Sequence, residues 1–257
     1  MQQKKKMGIE IHPDNASGGL GTIHIIDLET QSAEMLADYL HTAGYETRYY
    51  LDMDGGITAL QTESCDIVLI SVRSTDQTRF EPISRIRSFT KIPILVVNTC
   101  DDKLDDIIAL ELGADDVLRR PITQREVLAR ITAITRRIAF SQEQAETRKT
   151  SAISFYGDVA LDFDTYTTYR SNQKVNLTSL EFSLLYELLK NSGKVVSRQD
   201  LAKKVLNRKL SHFDRSIDVH VSSLRRKLGR HEDGEERIKS IRGVGYLYTR
   251  KAGHEST

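Results

Sequence analysis

Between Thr22 and Phe140 short apolar runs alternate with longer stretches of helical period. The runs are TIHIID, ETRYY, CDIVLIS, IPILVVN and the brief DDVL, and the helical stretches lie around QSAEMLADYLHTA, GITALQTE, FEPISRIRSF, KLDDIIALELGA and TQREVLARITAITRRI. Five strand and helix units in that order predict a parallel sheet with helices on both faces, and the flavodoxin-like order is the economical winding at this length. Ile67, Val68, Leu69 and Ile70 show no polar alternation, so both faces of that strand are expected to be buried. Ser71 then stands at the carboxyl edge of the sheet, where open α/β folds gather their ligands.

The pattern changes after residue 140. SQEQAETRKTSA, residues 141–152, is polar, lacks aromatics and has no hydrophobic period, which marks a linker. Residues 153–250 then form a second domain that opens with short strands. In NLTSLEFSLLYELLKNSGK, Thr178 precedes Glu181 by three residues as in a capping box, Leu180, Leu184, Leu185 and Leu188 share one face, and Gly193 ends the helix. SRQDLAKKVLN repeats the device with Ser197 as N-cap. FDRSIDVHVSSLRRKLG sets Ile217, Val221, Leu224 and Leu228 on one stripe, and IKSIRGVGYLYTR alternates and bends at Gly243 and Gly245 like a hairpin. Residues 1–21 and 251–257 read as flexible tails.

Composition separates the two halves. Residues 151–257 carry 19 Lys and Arg against 13 Asp and Glu, which leaves 18 against 23 for residues 1–150, although the net charge is only +1. A basic C-terminal half suits a polyanion partner, with solvated lysines as the plainer reading. No stretch approaches 18 uninterrupted apolar residues and the basic start MQQKKKMGIE has no apolar segment behind it, so the expected location is the cytoplasm, without a membrane partner. Two cysteines make neither a disulfide framework nor a four-ligand zinc site, so no metal or other cofactor is expected.

With the stripe of the Ser216 to Leu228 segment turned inward, its outward face presents Arg215, His220, Ser222, Ser223, Arg225, Arg226 and Lys227. Two short helices, the second with a cationic outer face, followed by a hairpin with Arg242 at its tip, have the layout of a winged helix-turn-helix that binds double-stranded DNA. Arginine bridges guanine O6 and N7 in the major groove, and an arginine on a wing suits a narrow minor groove. LTSLEFSLLYELLKNSGKVVSRQDL, FDRSIDVHVSSLRRKLG and IRGVGYLY resemble the effector domain of OmpR/PhoB-type response regulators over about Ile153 to Arg250. The resemblance implies that the helix from about Asp214 to Gly229 enters the major groove, with Arg215, His220, Ser222 and Arg225 among the contacts, that Arg242 reaches the minor groove, and that Ser240 lies near a phosphate. Some relatives carry arginine where Ser222 and Ser223 stand, which implies a different set of phosphate contacts. VLNRKLSHF, Val205 to Phe213, is similar to the loop through which such proteins touch RNA polymerase.

The first half resembles the receiver domain of the same family over about Thr22 to Phe140, most clearly in GADDVLRRPI and EVLARITAITRR. The implied architecture is a flavodoxin-like (CheY-like) receiver followed by the winged helix domain. Receivers accept a phosphoryl group from a histidine kinase onto an aspartate that also binds a divalent cation beside an acidic pair. At those positions this chain keeps Asp27 but has Leu28 as the second acid, Ser71 as the acceptor, Asn98 as the switch hydroxyl residue and Arg120 as the lysine. A serine hydroxyl without a base is a poor acceptor, so aspartyl phosphorylation is not expected and docking of a kinase is left open. Asp27 and Arg120 are placed to pair in a pocket locked in one state; the plainer reading is that Ser71 is a strand-end residue satisfied by backbone.

Receivers of this family pair through the fourth helix, fifth strand and fifth helix, which implies a homodimer. Asp115 or Asp116 with Arg130, and Glu111 with Arg137, are the candidate bridges, while Asp106 and Glu126 are both acidic where opposite charges are expected. Cys65 begins one strand and Cys100 follows another, on the order of 20 Å apart, beyond the roughly 7 Å between Cα atoms that a disulfide spans. Cys100 alone remains a minor candidate for oxidant sensing. Two other classes are weighed. A protein-interaction module with a vestigial effector is opposed by the cationic helix face. An enzyme is opposed by the absence of a triad, a metal cluster or a phosphate loop, since SGGLG precedes a strand instead of following it.

Overall fold

The computed structural model describes residues 9–11, 19–73, 78–99, 102–147, 153–211 and 214–249, with the backbone alone for 9–11 and 137–147. The chain divides into two compact units, Met1–Ile131 and Thr132–Thr257. The first contains β1 (Ile9–Ile11), β2 (Thr22–Ile26), α1 (Thr30–Thr42), β3 (Glu46–Tyr50), α2 (Met53–Thr62), β4 (Ile67–Val72), α3 (Glu81–Phe89), β5 (Ile94–Asn98), α4 (Lys103–Glu111), β6 (Asp116–Arg119) and the start of α5 (Gln124–Thr147).

The sheet order is β1-β3-β2-β4-β5-β6, in which β3-β2-β4-β5-β6 run parallel. That is the expected flavodoxin-like order, and the sequence of strands reverses direction between β2 and β4. Every residue of β4 and β5 is buried, as the absence of alternation in those runs requires. Two elements differ from the sequence reading. Ile9–Ile11, read as part of a tail, pairs antiparallel with β3 at the sheet edge. The segment Ser141–Thr147, read as the start of a linker, continues α5; its Gln, Glu and Ala residues have good intrinsic helix propensity even without an apolar face.

The second unit opens with an antiparallel sheet of β7 (Ile153–Tyr156), β8 (Val159–Asp162), β9 (Thr167–Arg170) and β10 (Gln173–Val175). Then come α6 (Ser179–Lys190), β11 (Val195–Ser197), α7 (Arg198–Leu201) running into a π turn over Ala202–Leu206, α8 (Ser216–Leu228), β12 (Ile238–Ile241) and β13 (Gly245–Tyr248). Thr178 and Glu181 form the expected capping box and Ser197 caps α7. One core joins Leu180, Leu184, Leu188, Ile217, Val221, Leu224 and Leu228, so α6 and α8 bury their stripes against each other. The wing is the β12–β13 hairpin, with Gly243 at positive φ in its turn. At Gly245 a Cβ would meet the Val196 carbonyl at 1.9 Å, so only glycine lets β13 lie against β11. Among the described residues no helix is long and apolar enough to cross a membrane.

Candidate nucleic-acid interface and receiver pocket

Arg215, Ser222 and Arg226 are exposed along one side of α8, and Ser240 and Arg242 are exposed on the wing. His220 does not join them. It is 3% exposed, because it lies four residues after Ser216 and four before Leu224 and therefore shares the inward face. Ser223 and Lys227 are also drawn inward. Ser223 Oγ donates to Glu181 Oε1 at 2.6 Å and Lys227 Nζ lies 2.5 Å from Glu181 Oε2. The buried Glu181 thus caps α6 and holds α8 with one carboxylate. The capping role was legible in the sequence; the contacts to α8, more than forty residues away, were not.

Arg225 is half-buried and bridges helix to wing, with Nε donating to Ile238 O and Nη2 to Ser240 Oγ, both at 2.8 Å. Its guanidinium also lies over the Tyr246 ring, which carries Arg198 as well, at 5.7 and 4.8 Å to the centroid. Arg225 therefore helps position the wing. Arg225→Ala is expected to lower the unfolding free energy of this domain by roughly 1–3 kcal/mol, through two charge-assisted bonds. Urea denaturation checks this, and an unchanged midpoint contradicts it.

Asp218, which the sequence did not single out, lies at the centre of this face. Arg198 Nε donates to its Oδ1 at 2.8 Å, the Tyr246 hydroxyl donates to the same oxygen, and Arg215 Nη1 lies 3.7 Å from Oδ2. Burial and this carboxylate push the Tyr246 hydroxyl up to about 12. Asp218 thus ties α7, α8 and β13 together and leaves Arg215 largely exposed. The entry to α8 is fixed by Asp214, whose Oδ1 accepts from the Ser216 amide at 3.0 Å and whose other oxygen pairs with Arg208. Burial opposes ionisation there, yet the bonds from Arg208 and Ser216 hold Asp214 below the usual carboxylate range. Of the Val205 to Phe213 segment, Val205 and Leu206 are buried in the π turn, Asn207 and Lys209 are exposed, and His212 and Phe213 lie outside the described residues.

In the receiver, Asp27, Ser71 and Arg120 come together as expected. Ser71 Oγ donates to Asp27 Oδ2 at 2.8 Å, so a carboxylate and not the backbone satisfies it. Arg120 Nη2 reaches the same oxygen at 3.4 Å and Ser32 Oγ at 2.5 Å. The Glu29 amide donates to Asp27 Oδ1, and Arg73 stands 3.9 Å from that oxygen and 3.7 Å from Glu29. Leu28 and Asn98 make other contacts. Leu28 is 44% exposed, and the buried Asn98 donates through Nδ2 to Asp106 of α4, which also accepts from Arg119. Receivers hold a divalent cation here, and these residues do not fit one. The one acid retained at the family's positions, Asp27, already takes a hydroxyl, an amide and two guanidinium neighbours, and among the described residues no group of three His, Cys, Asp or Glu can hold a metal.

Of the residues expected at a dimer face, several have partners within the chain. Asp115 is fully buried, accepts from Arg87 Nη2 at 2.6 Å and from the Ile94 amide at 2.9 Å, and so organises its own fold. Asp116 pairs with Arg130 at 3.5 Å within the chain. Glu111 is exposed, the side chain of Arg137 lies outside the described residues, and Glu126 accepts from Thr123 at the start of α5. Cys65 donates to Ile67 O, and burial pushes its thiol up to about 12; Cys100 lies outside the described residues.

The parallel five-stranded sheet and the winged helix define a two-domain response regulator with a DNA-binding output. Residues 23–132 match the family described as response regulator receiver domain, and residues 172–248 match the one described as transcriptional regulatory protein, C terminal. The chain belongs to the OmpR/PhoB family of DNA-binding response regulators. It is similar to the transcriptional regulatory protein CpxR of Klebsiella pneumoniae subsp. pneumoniae (strain HS11286), 34% identical over 228 residues that span 89% of this chain and 98% of that protein. The CpxR protein of Escherichia coli (strain K12) is 33% identical over 228 residues with the same coverage. A solved structure of a RitR mutant has the same fold, with a TM-score of 0.70 and 23% identity over 90% of this chain and 100% of that one.

Proposed function

We propose that this regulator recognises specific sites on double-stranded DNA in the cytoplasm without accepting a phosphoryl group. The observation that carries the reading is the Ser71 hydroxyl at the acceptor position, already donating to Asp27, with Arg120 and Arg73 beside the same carboxylate. The pocket is neutralised by the chain's own arginines, so the charge that phosphorylation would relieve is absent.

Arg215, Ser222 and Arg226 face the major groove in this reading, and Arg242 enters the minor groove from the wing. Exposed Leu104 and Ile108, one turn apart on α4 beside Glu111, support a homodimer through that helix. The exposed Asn207 and Lys209 of the loop before α8 support a contact with RNA polymerase. A purely protein-binding module is not favoured, because the outer side of α8 remains cationic and solvated.

On DNA fragments selected from the genome by the parent chain, Arg226→Ala is expected to weaken binding by roughly 1–3 kcal/mol and to relax the preference at one base position, while Arg242→Ala weakens good and poor sites more evenly. Both are read from titrations at fixed salt. Undiminished specific binding by the Arg226 variant contradicts the assigned face.

A further inference from the structure

The carboxyl edge of the receiver sheet encloses a cavity of about 310 Å³. It is lined by α1, the ends of β4 and β5, the segment after β6 and the start of α5, at the carboxyl edge that open parallel sheets use for ligands. Its inner wall is apolar, built from the buried Leu36, Val97 and Val127, and Met35 carries that surface out to an exposed rim. Ser32, Ser71, Arg120, Gln31 and Gln124 supply the polar part, and the Glu29 carboxylate also lines it. A volume of this size suits a short chain or a single ring.

The charges narrow the ligand further. Arg73 and Arg120 face Asp27 and Glu29, so the site is neutral before anything enters. The bonds of Arg120 to described residues leave from Nη2, and the one to Asp27 is long at 3.4 Å. Nη1 and Nε are thus left for another acceptor; they do not share a bidentate edge, so each offers a single charge-assisted bond to an anionic oxygen. The first turn of α1 lies at the same cavity with no side chain capping it and no acid within it, and its positive potential is offset in part by Glu29 at the N-cap. A ligand with several negative charges would meet Asp27 and Glu29 without enough cations to offset them. We infer that the cavity binds a small monoanionic carboxylate with an apolar body, held by Arg120 and packed on Val97 and Val127. The inference rests on the reading that no phosphoryl group or divalent cation occupies the pocket.

Methyl NMR of the full chain, with benzoate and hexanoate as probes, tests it. Either carboxylate is expected to shift the methyl signals of Leu36, Val97 and Val127 saturably, whereas inorganic phosphate does not. Arg120→Gln should weaken benzoate by roughly tenfold or more and leave the binding of neutral benzamide unchanged. Met35→Trp, at the exposed rim, should block both. If neither carboxylate gives a saturable shift, or if Arg120→Gln binds benzoate as tightly as the parent, the inference is overturned. A parallel titration with Mg²⁺ and beryllofluoride separates the two ideas: a response there removes the phosphoryl-free reading itself, whatever the carboxylates do.

Discussion

Asp158→Ala is expected to destabilise the DNA-binding domain by roughly 3–5 kcal/mol, the range for removing one partner of a buried ion pair. Arg237 is 3% exposed and points both ends of its guanidinium at Asp158, with Nη1 to Oδ1 at 2.7 Å and Nη2 to Oδ2 at 2.5 Å. These bonds hold the Asp158 carboxyl below its usual range. With the carboxylate gone, a buried cation keeps, among the described residues, Arg230 O and the Tyr248 hydroxyl, at 3.2 and 3.4 Å. Arg237 directly precedes β12, so the same change loosens the foot of the wing that carries Arg242. Asp158→Asn, which keeps the acceptor and loses the charge, should fall between parent and alanine in urea denaturation. A loss below about 1 kcal/mol would mean that Arg237 behaves as an exposed partner does.

Mild acid is expected to weaken the receiver domain by a similar amount through one buried imidazole. His24 on β2 has no exposed surface, and burial, reinforced by Arg48 and opposed by Glu63 and Glu46, pushes it from 6.5 down to about 4. Tyr50 lies 3.4 Å from its Nδ1 and Glu63 4.0 Å from its Nε2. The folded chain therefore keeps His24 neutral while the unfolded chain protonates it below about 6.5. Stability is fully present above that pH and is lost as pH falls towards about 4, by roughly 3 kcal/mol in all. Glu63, held low by Arg48 and Tyr50 against the opposing effect of burial, adds a further loss as pH falls below its ordinary 4.5. Urea midpoints of the receiver resonances across this window should slope in the parent and flatten in His24→Gln. A level parent profile between neutral pH and about pH 5 would show that the imidazole is not held neutral by the fold.

Local periodicity was readable along the chain, and distance in sequence set the limit. The parallel sheet, the capping box at Thr178 and the stripe of α8 each rest on residues within a turn or a strand of one another. The pairing of Asp27 with Arg120 was also legible, because both occupy recognisable positions at the carboxyl edge. His220 was misplaced because its polar chemistry was weighed above its position, four residues from Ser216 and from Leu224. The contacts of Arg225 and Asp115 were hidden for a different reason. Their partners, Ser240 on the wing and Arg87 on α3, are brought in by tertiary packing that no local pattern announces. Asp218 was overlooked because one acid on a basic helix face looks like a solvated charge until Arg198 and Tyr246 are seen to share it. The continuation of α5 through Thr147 was hidden because a helix without an apolar stripe leaves only propensity as its signal.

The central claim is that this chain engages its DNA with a receiver that needs no phosphoryl group. The most direct measurement is the affinity of the purified full chain for its selected operator, before and after incubation with phosphoramidate and Mg²⁺, with intact mass read on the same samples. Unchanged mass and unchanged affinity are the expected result. A mass increase of one phosphoryl group together with tightening of roughly tenfold or more would contradict the account.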